Sequence, residues 1–351
     1  MFSMWLHRAL VCLLGSSAAL AFAQNPRPQE PKPPFPYLQE QVQYVNAQAE
    51  GVKLAGTLTE PKEGGPFPAV LLISGPGPQD RDETMAGHKP FLVLADYLTR
   101  HGIAVLRVDD RGVGKSTGDF KAATTQDFAS DAEAGVRYLL TRSELNPKHL
   151  GLIGHGEGAI VAPMAAVQMP EVSFIVLLAG TAVPGYQVLI AQTERAEKAA
   201  GLSEEQIKAD KRIGAALYKA VREGKKTVDI RDEDQPFAKP WEKQLPLMRS
   251  PWTRFFLFYD PAPTLEKVKC PVLALDGDKD MQLDPEQNIA AMKAAFARGG
   301  NPDVTIQLLP GLNYMFQKAD TGLSWEYATI SETISPTVLQ IIGDWITKHT
   351  S

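Results

Sequence analysis

The chain changes its hydrophobic period several times, and each change marks an element. Residues 40–47, EQVQYVNA, and 52–61, VKLAGTLTEP, alternate apolar and polar side chains around a polar turn at 48–51, as in an antiparallel hairpin. Alternation then gives way to unbroken apolar runs: FPAVLLISG from 67, IAVLRVDD from 103, HLGLIGH from 149, SFIVLLAG from 173, CPVLALDG from 270 and VTIQLLPG from 304. A strand buried on both faces has this composition. Helical stripes lie between most of the runs. Phe128, Ala132, Val136 and Leu139 share a face, and Val338, Ile341, Ile342, Trp345 and Ile346 repeat behind Ser335-Pro336, a cap with proline in the first turn. Two hairpin strands followed by six buried ones, alternating with helices, predict an α/β fold whose eight-stranded, mostly parallel sheet carries helices on both faces.

The alternation breaks once. Residues 181–265 hold no strand-like run; they contain a Ser203 to Gln206 capping box, an Ile213, Leu217, Val221 stripe and Gly224 as a stop. This interval is expected to be a helical cap inserted between two parts of one core, 40–180 and 266–351. Its aromatic residues Trp252, Phe255, Phe256 and Phe258 are expected to line a pocket beneath it.

Composition narrows the setting. His7 and Arg8 precede an apolar run that ends in Ala21-Phe22-Ala23, a small-residue cleavage pattern, so residues 1–23 are expected to be a signal peptide and the protein to be secreted or periplasmic. The run is too short for a membrane span, and no later stretch is long enough. Cys12 falls in this leader, which leaves Cys270 as a small core residue. Six prolines between 26 and 36 predict an extended, weakly ordered tether over 24–39. The formal charge of −5 is dispersed, without a basic stripe, which argues against a nucleic-acid partner. Scattered histidines and the lack of an evident carboxylate pair argue against a metal, and no motif calls for another cofactor. The segment RGVGKST at 111–117 has Asp109 where a phosphate loop requires glycine, so it is expected to be a tight turn with Arg111 structurally paired.

The chemistry centres on GLIGHGEGA, residues 151–159. A strand runs into Gly154-His155-Gly156-Glu157-Gly158 and a helix follows, the setting in which a G-x-S-x-G turn presents a nucleophilic serine. Here Gly156 stands at the middle position.

The stretches ISGPGPQDRDET, GHKPF, DDRGVGKSTGDF, SPWTRFFLFYDPAPTL and CPVLALDGDKDMQL, in this order, resemble those of the EstD-type bacterial esterases of the α/β-hydrolase superfamily, which share a broader label with S33 serine aminopeptidases. The resemblance covers the chain from about residue 40 onward. It implies hydrolysis of short acyl esters by a serine, histidine and aspartate. Transferred residue by residue, the nucleophile position is Gly156, and the acid falls on Asp280, with Asp278 as alternate. The histidine position, in a loop that usually reads N-H-x-F, falls on Tyr314.

Neutral tyrosine is a poor proton acceptor, with an ordinary pKa of about 10. No other histidine is placed to serve: His155 should point into packing, His88 begins a helix, and His101 and His149 precede strands. One oxyanion donor is expected from the backbone of Glu157. The other falls on Pro76, which has no N–H, or on Gly77. The sequence therefore predicts an exported homologue of carboxylic-ester hydrolases without the acyl-serine mechanism, binding a small acyl-ester-like molecule or a partner. The alternative is a hydrolase working through a non-standard site around Asp280 and Tyr314.

Overall fold

A computed structural model describes residues 27–242 and 245–351. The expected signal peptide, residues 1–23, lies outside the described residues.

The hairpin pairs β1 (Tyr37–Asn46) with β2 (Val52–Pro61), and Glu50 and Gly51 take up the left-handed backbone of the turn. The six apolar runs become β3 (Phe67–Ile73), β4 (Ala104–Val108), β5 (Leu145–His155), β6 (Val172–Leu178), β7 (Val272–Gly277) and β8 (Val304–Leu309). They form one eight-stranded sheet in the order β1-β2-β4-β3-β5-β6-β7-β8. β2 runs antiparallel to β1 and β4, and all pairs from β4 to β8 are parallel. Leu152, Ile153, Ile175 and Val176 are wholly buried, the condition that writes a continuous apolar run into a central strand.

On one face, α1 (Pro90–Arg100) and α10 (Pro336–Thr350) cover Val70, Val105, Ile153, Val176 and Leu273. On the other, α2 (Thr125–Leu139), α3 (Gly158–Gln168) and α9 (Pro285–Gly299) cover Leu71, Leu106, Leu152 and Ile175. Between β6 and β7 the chain forms α4 (Gly185–Ala199), α5 (Glu204–Glu223), α6 (Gln235–Glu242), α7 (Pro251–Phe258) and the short α8 (Ala262–Leu265). These have a small core of their own, in which Ile213, Leu217, Tyr218, Trp241 and Leu257 pack together. Among the described residues, no helix is long and apolar enough to cross a membrane.

The proline-rich segment departs from expectation. Far from being a loose tether, residues from Arg27 onward are docked: Arg27, Gln29 and Glu30 bond to residues 86–89 and 328–334, and the first strand begins at Tyr37 rather than 40. The segment supplies the polar side chains that those loops need, and proline arrives already extended.

The Arg111 turn behaves as expected. Arg111 is buried against the Asp131 carboxylate (2.6 and 2.8 Å), and the turn wraps Asp109, whose carboxylate accepts from Lys115 N (3.2 Å) and from Arg81 N, Nε and Nη2 (3.0, 3.0 and 2.6 Å). Gly114, at φ +55°, has no room for a β-carbon beside that carboxylate. The anion bound by this phosphate-loop-like turn is a side chain of the same protein.

Candidate active site

The six parallel strands place the loops at their C-terminal ends along one sheet edge, where open α/β sheets hold their sites. β5 enters the turn through His155. Gly156 follows at φ +54°, with its N–H bonded to Leu178 O (2.9 Å), and Gly158 begins α3. A left-handed residue here strains any side chain except glycine's missing one.

Tyr314 arrives from the loop after β8. Asn313 shapes that loop: its Oδ1 accepts from Met315 N (3.0 Å) and Gln317 N (2.9 Å), while Phe316 sits at φ +59°. The phenol is thereby turned toward the β5 turn. A β-carbon at position 156 would overlap the Tyr314 hydroxyl outright, and it would lie 3.2 Å from both Tyr314 Cζ and Pro76 Cδ. The hydroxyl of residue 314 thus stands in the space that a serine side chain would use. It is also 3.4 Å from the β-carbon position of Gly75.

His155 lies beneath the Tyr314 ring, centroid to centroid 4.5 Å. Its Nδ1 is 2.9 Å from Glu83 Oε1 and its Nε2 is 3.0 Å from Tyr314 O. The Glu83 carboxyl and the Tyr314 carbonyl thus engage both ring nitrogens. Burial alone would lower its pKa, but the Glu83 carboxylate outweighs that and holds it above the ordinary histidine value. His155 is packed and fully engaged, as expected, and has no free nitrogen for catalysis. Glu83, unsuspected from the sequence, also accepts from Gly75 N at 2.6 Å. That N–H, adjacent to Pro76, is therefore spent inside the protein. Gly77 lies one residue further on at φ +94°, with only Gln79 Nε2 near its β-carbon position.

Asp280 is fully buried. Its Oδ1 accepts from Gln282 N (2.6 Å) and Leu283 N (3.0 Å), whereas its Oδ2 is buried without a hydrogen-bond partner. Burial pushes Asp280 up to about 6, and burial beside Asp280 pushes Asp276 well above the usual carboxylate range. This corrects the expectation that no carboxylates pair; a strand end and the loop after it bring them together. Among the described residues, no group of three or more ligating side chains could hold a metal ion. Asp278, the alternate acid, is exposed and bonds Gly311 N (2.7 Å).

Tyr314 is itself buried, and its pKa stands well above the ordinary phenol value through burial first and the Glu83 and Asp280 charges next. It remains a neutral O–H. Two further acids went unrecognised. Glu157, expected to act through its backbone, also brings a carboxyl whose Oε1 accepts from Thr125 Oγ1 and Trp252 Nε1, both at 2.7 Å, and burial pushes its pKa to about 7. Asp110, bonded by Ser74 Oγ (2.8 Å) and Gln79 N (2.9 Å), is pushed by burial to about 8.

Of the four cap aromatics expected to line a pocket, Trp252 alone is hydrogen-bonded to the β5 turn. Phe256 stacks on Trp252 (5.4 Å), Phe255 on Tyr259 (5.0 Å), and Phe258 lies under the Arg222 guanidinium (4.7 Å), which fastens the cap together. Two cavities of about 10 Å³ have room for one water each: one lined by Gly180, Asp276 and Met292, behind the acid pair, the other between Glu194 and Trp241 within the cap.

Strand order, the strand–turn–helix at Gly156, the acid loop after β7 and the Tyr314 loop after β8 define an α/β-hydrolase fold. Solved structures agree: the α/β hydrolase GrgF of Penicillium sp. sh18 (17% identical, TM-score 0.56, 89% of this chain and 99% of that one) and the hypothetical protein PA2218 of Pseudomonas aeruginosa (16%, TM-score 0.57, 95% and 99%) share it. Within that fold, residues 50–310 match the X-Pro dipeptidyl-peptidase (S15) family, and the chain belongs to it. Esterase EstD of Thermotoga maritima is 26% identical over 268 residues, 75% of this chain and 58% of that protein. An uncharacterised protein of Mycobacterium tuberculosis is 32% identical over 126 residues, 36% of this chain and 41% of that protein. The chain thus spans between about two-fifths and three-fifths of the length of these curated relatives.

Proposed function

We propose that this protein is an exported, non-hydrolytic member of its family, which keeps the hydrolase framework and uses it for recognition rather than turnover. The carrying observation is that the Tyr314 hydroxyl fills the space where a side chain at 156 would project. Serine chemistry needs a nucleophile, a base of matched pKa and donors aimed at the oxyanion. Here glycine replaces the first, a buried neutral phenol replaces the second, and proline stands at one donor position with the adjacent Gly75 N–H committed to Glu83. The ligand favoured by the family resemblance is a small acyl-ester-like molecule beneath the cap.

The test uses the purified protein from residue 24 onward. Short-chain aryl esters should be hydrolysed no faster than by an unrelated protein surface, and serine-directed phosphonates should leave no adduct. Saturable turnover at about 1 s⁻¹ or more, in the ordinary enzyme range, would overturn the reading. One observation favours the alternative, a hydrolase with a non-standard site: the phenol oxygen stands close to where a serine oxygen would. Its raised pKa opposes a nucleophilic role, and loss of any measured turnover in Tyr314→Phe would be that alternative's signature.

A further inference from the structure

Arg27 lies between two loops that are distant in sequence. Its Nε donates to Gly87 O (3.2 Å) and its Nη2 to Ala86 O (3.3 Å) on one side. On the other, Nη1 donates to Ile330 O (2.8 Å) and Nη2 to Ala328 O (2.9 Å). Gln29 adds a reciprocal set: its Oε1 accepts from Thr333 N (2.6 Å) and Ile334 N (3.2 Å), and its Nε2 donates to Ile334 O (2.7 Å). Glu30 pairs with Lys89 at 2.9 Å. A guanidinium fork spent entirely on backbone carbonyls recognises the relative position of two loops.

Those are the two loops that surround the Tyr314 hydroxyl. Residues 74–89 carry Gly75, Pro76 and Glu83. Residues 310–335 carry Tyr314 at one end and the Gln29 partners at the other. The connection between the ends is continuous: Ser335 N donates to Phe316 O (2.8 Å), Gln317 Nε2 to Glu332 O (2.9 Å), and Gln317 N to Asn313 Oδ1 (2.9 Å). Buried His88 joins the two loops through Thr333 Oγ1 on Nδ1 (3.0 Å) and Tyr327 O on Nε2 (2.8 Å). The prolines interleaved with Arg27, Gln29 and Glu30 have φ fixed before docking, so the segment loses less entropy on binding than an ordinary strap.

We propose that residues 27–30 are an intramolecular clasp that holds the Tyr314 loop over Gly156, so that detaching them loosens the loop and opens the space beside the β5 turn. The proposal rests on the reading of Tyr314 as a plug. In an exported chain, trimming a few residues past the expected cleavage site would remove the clasp and leave every strand intact.

The experiment is amide hydrogen exchange on the protein from residue 24 onward, comparing the parent with Arg27→Ala/Gln29→Ala. Amides at 313–317 and 328–335 should exchange about tenfold faster or more, while those of β5 and β6 keep their protection. Unchanged exchange in the loop would overturn the clasp, as would acceleration spread evenly over the sheet, which marks a purely global contribution. If the double variant does not fold, Arg27→Lys serves instead: it keeps the charge and loses the fork, and the same local acceleration is required of it. The readout involves no hydrolysis. A phosphonate adduct on the parent would sink the non-hydrolytic reading without altering the exchange result.

Discussion

The hydroxyl of Tyr314 and the missing β-carbon of Gly156 claim the same space, so these two positions are coupled by packing. The acyl-serine mechanism would need a serine and a histidine here. A β-carbon at 156 and the phenol oxygen cannot both keep these positions, so any side chain at 156 requires Tyr314 to shift.

That exclusion is measurable without any substrate. Gly156→Ala should cost about 1–2 kcal/mol for a left-handed alanine and about 1–3 kcal/mol more for the overlap. Tyr314→Phe removes the overlapping oxygen and leaves the ring carbon at 3.2 Å, so the alanine penalty should shrink in that background. Urea titrations of the two single variants and the double should give a coupling of about 1 kcal/mol or more. Strict additivity would mean that the phenol moves aside freely and plugs nothing.

Glu157 predicts a pH dependence of known sign. Its pKa in the folded protein is about 7, above the ordinary 4.5, because burial disfavours the charged form. The folded state therefore holds that proton more tightly than the unfolded chain. Its contribution is fully present below about 4.5 and is lost as pH rises through 7, by at most about 1.4 kcal/mol per pH unit. Asp280, Asp110 and His155 are shifted in the same sense, so the diagnostic is a difference between proteins. Glu157→Gln can still accept from Thr125 and Trp252, and its melting temperature should fall less between pH 5 and 7.5 than the parent's. Parallel curves would remove Glu157 as a contributor.

The Asp109 turn offers a test of the phosphate-loop likeness. Removing the carboxylate leaves Arg81 and the Lys115 N–H facing a partly buried gap, and Asp109→Ala should lose about 3 kcal/mol or more. Sulfate or phosphate at tens of millimolar should recover part of that loss in the variant and leave the parent's melting temperature unchanged. Equal stabilisation of both proteins would show that the turn does not select the anion.

What the sequence revealed and what it concealed follow from the range of each interaction. Val176 and Leu152 lie on opposite faces of the sheet and both are buried, so their strands read as apolar runs, and Gly156 and Tyr314 stand out because each belongs to a short contiguous motif. Glu83 is 72 residues from the histidine it holds, and Arg27 some 300 from the carbonyls at 328 and 330, so no local pattern could connect them. Asp276 was hidden differently. It reads as the end of a strand, and only the bend after β7 returns Asp280 to its side. The prolines misled because their stiffness suits docking as well as tethering.

If the reacting side chains alone were lost, restoring both should restore chemistry, and restoring either should not. Gly156→Ser by itself places a hydroxyl against the phenol of Tyr314. Tyr314→His by itself vacates the space and provides a base with nothing to activate. In the double variant, Asp280, whose buried Oδ2 has no hydrogen-bond partner, is the carboxylate that would orient the imidazole. Triad members act as a unit, so the gain should be strongly non-additive. The readout is phosphonate labelling of Ser at 156, followed by aryl-ester turnover at pH 8, where Asp280, with a pKa of about 6, should be ionised. Pro76→Ser in that background should raise the rate further, up to about a hundredfold or more, if position 76 supplies the missing oxyanion donor, and leave it unchanged if Gly77 already does. A folded double variant that takes no label would mean that the Glu83, His155 and Gly75 network has rebuilt the turn around its tyrosine, beyond recovery by two side chains.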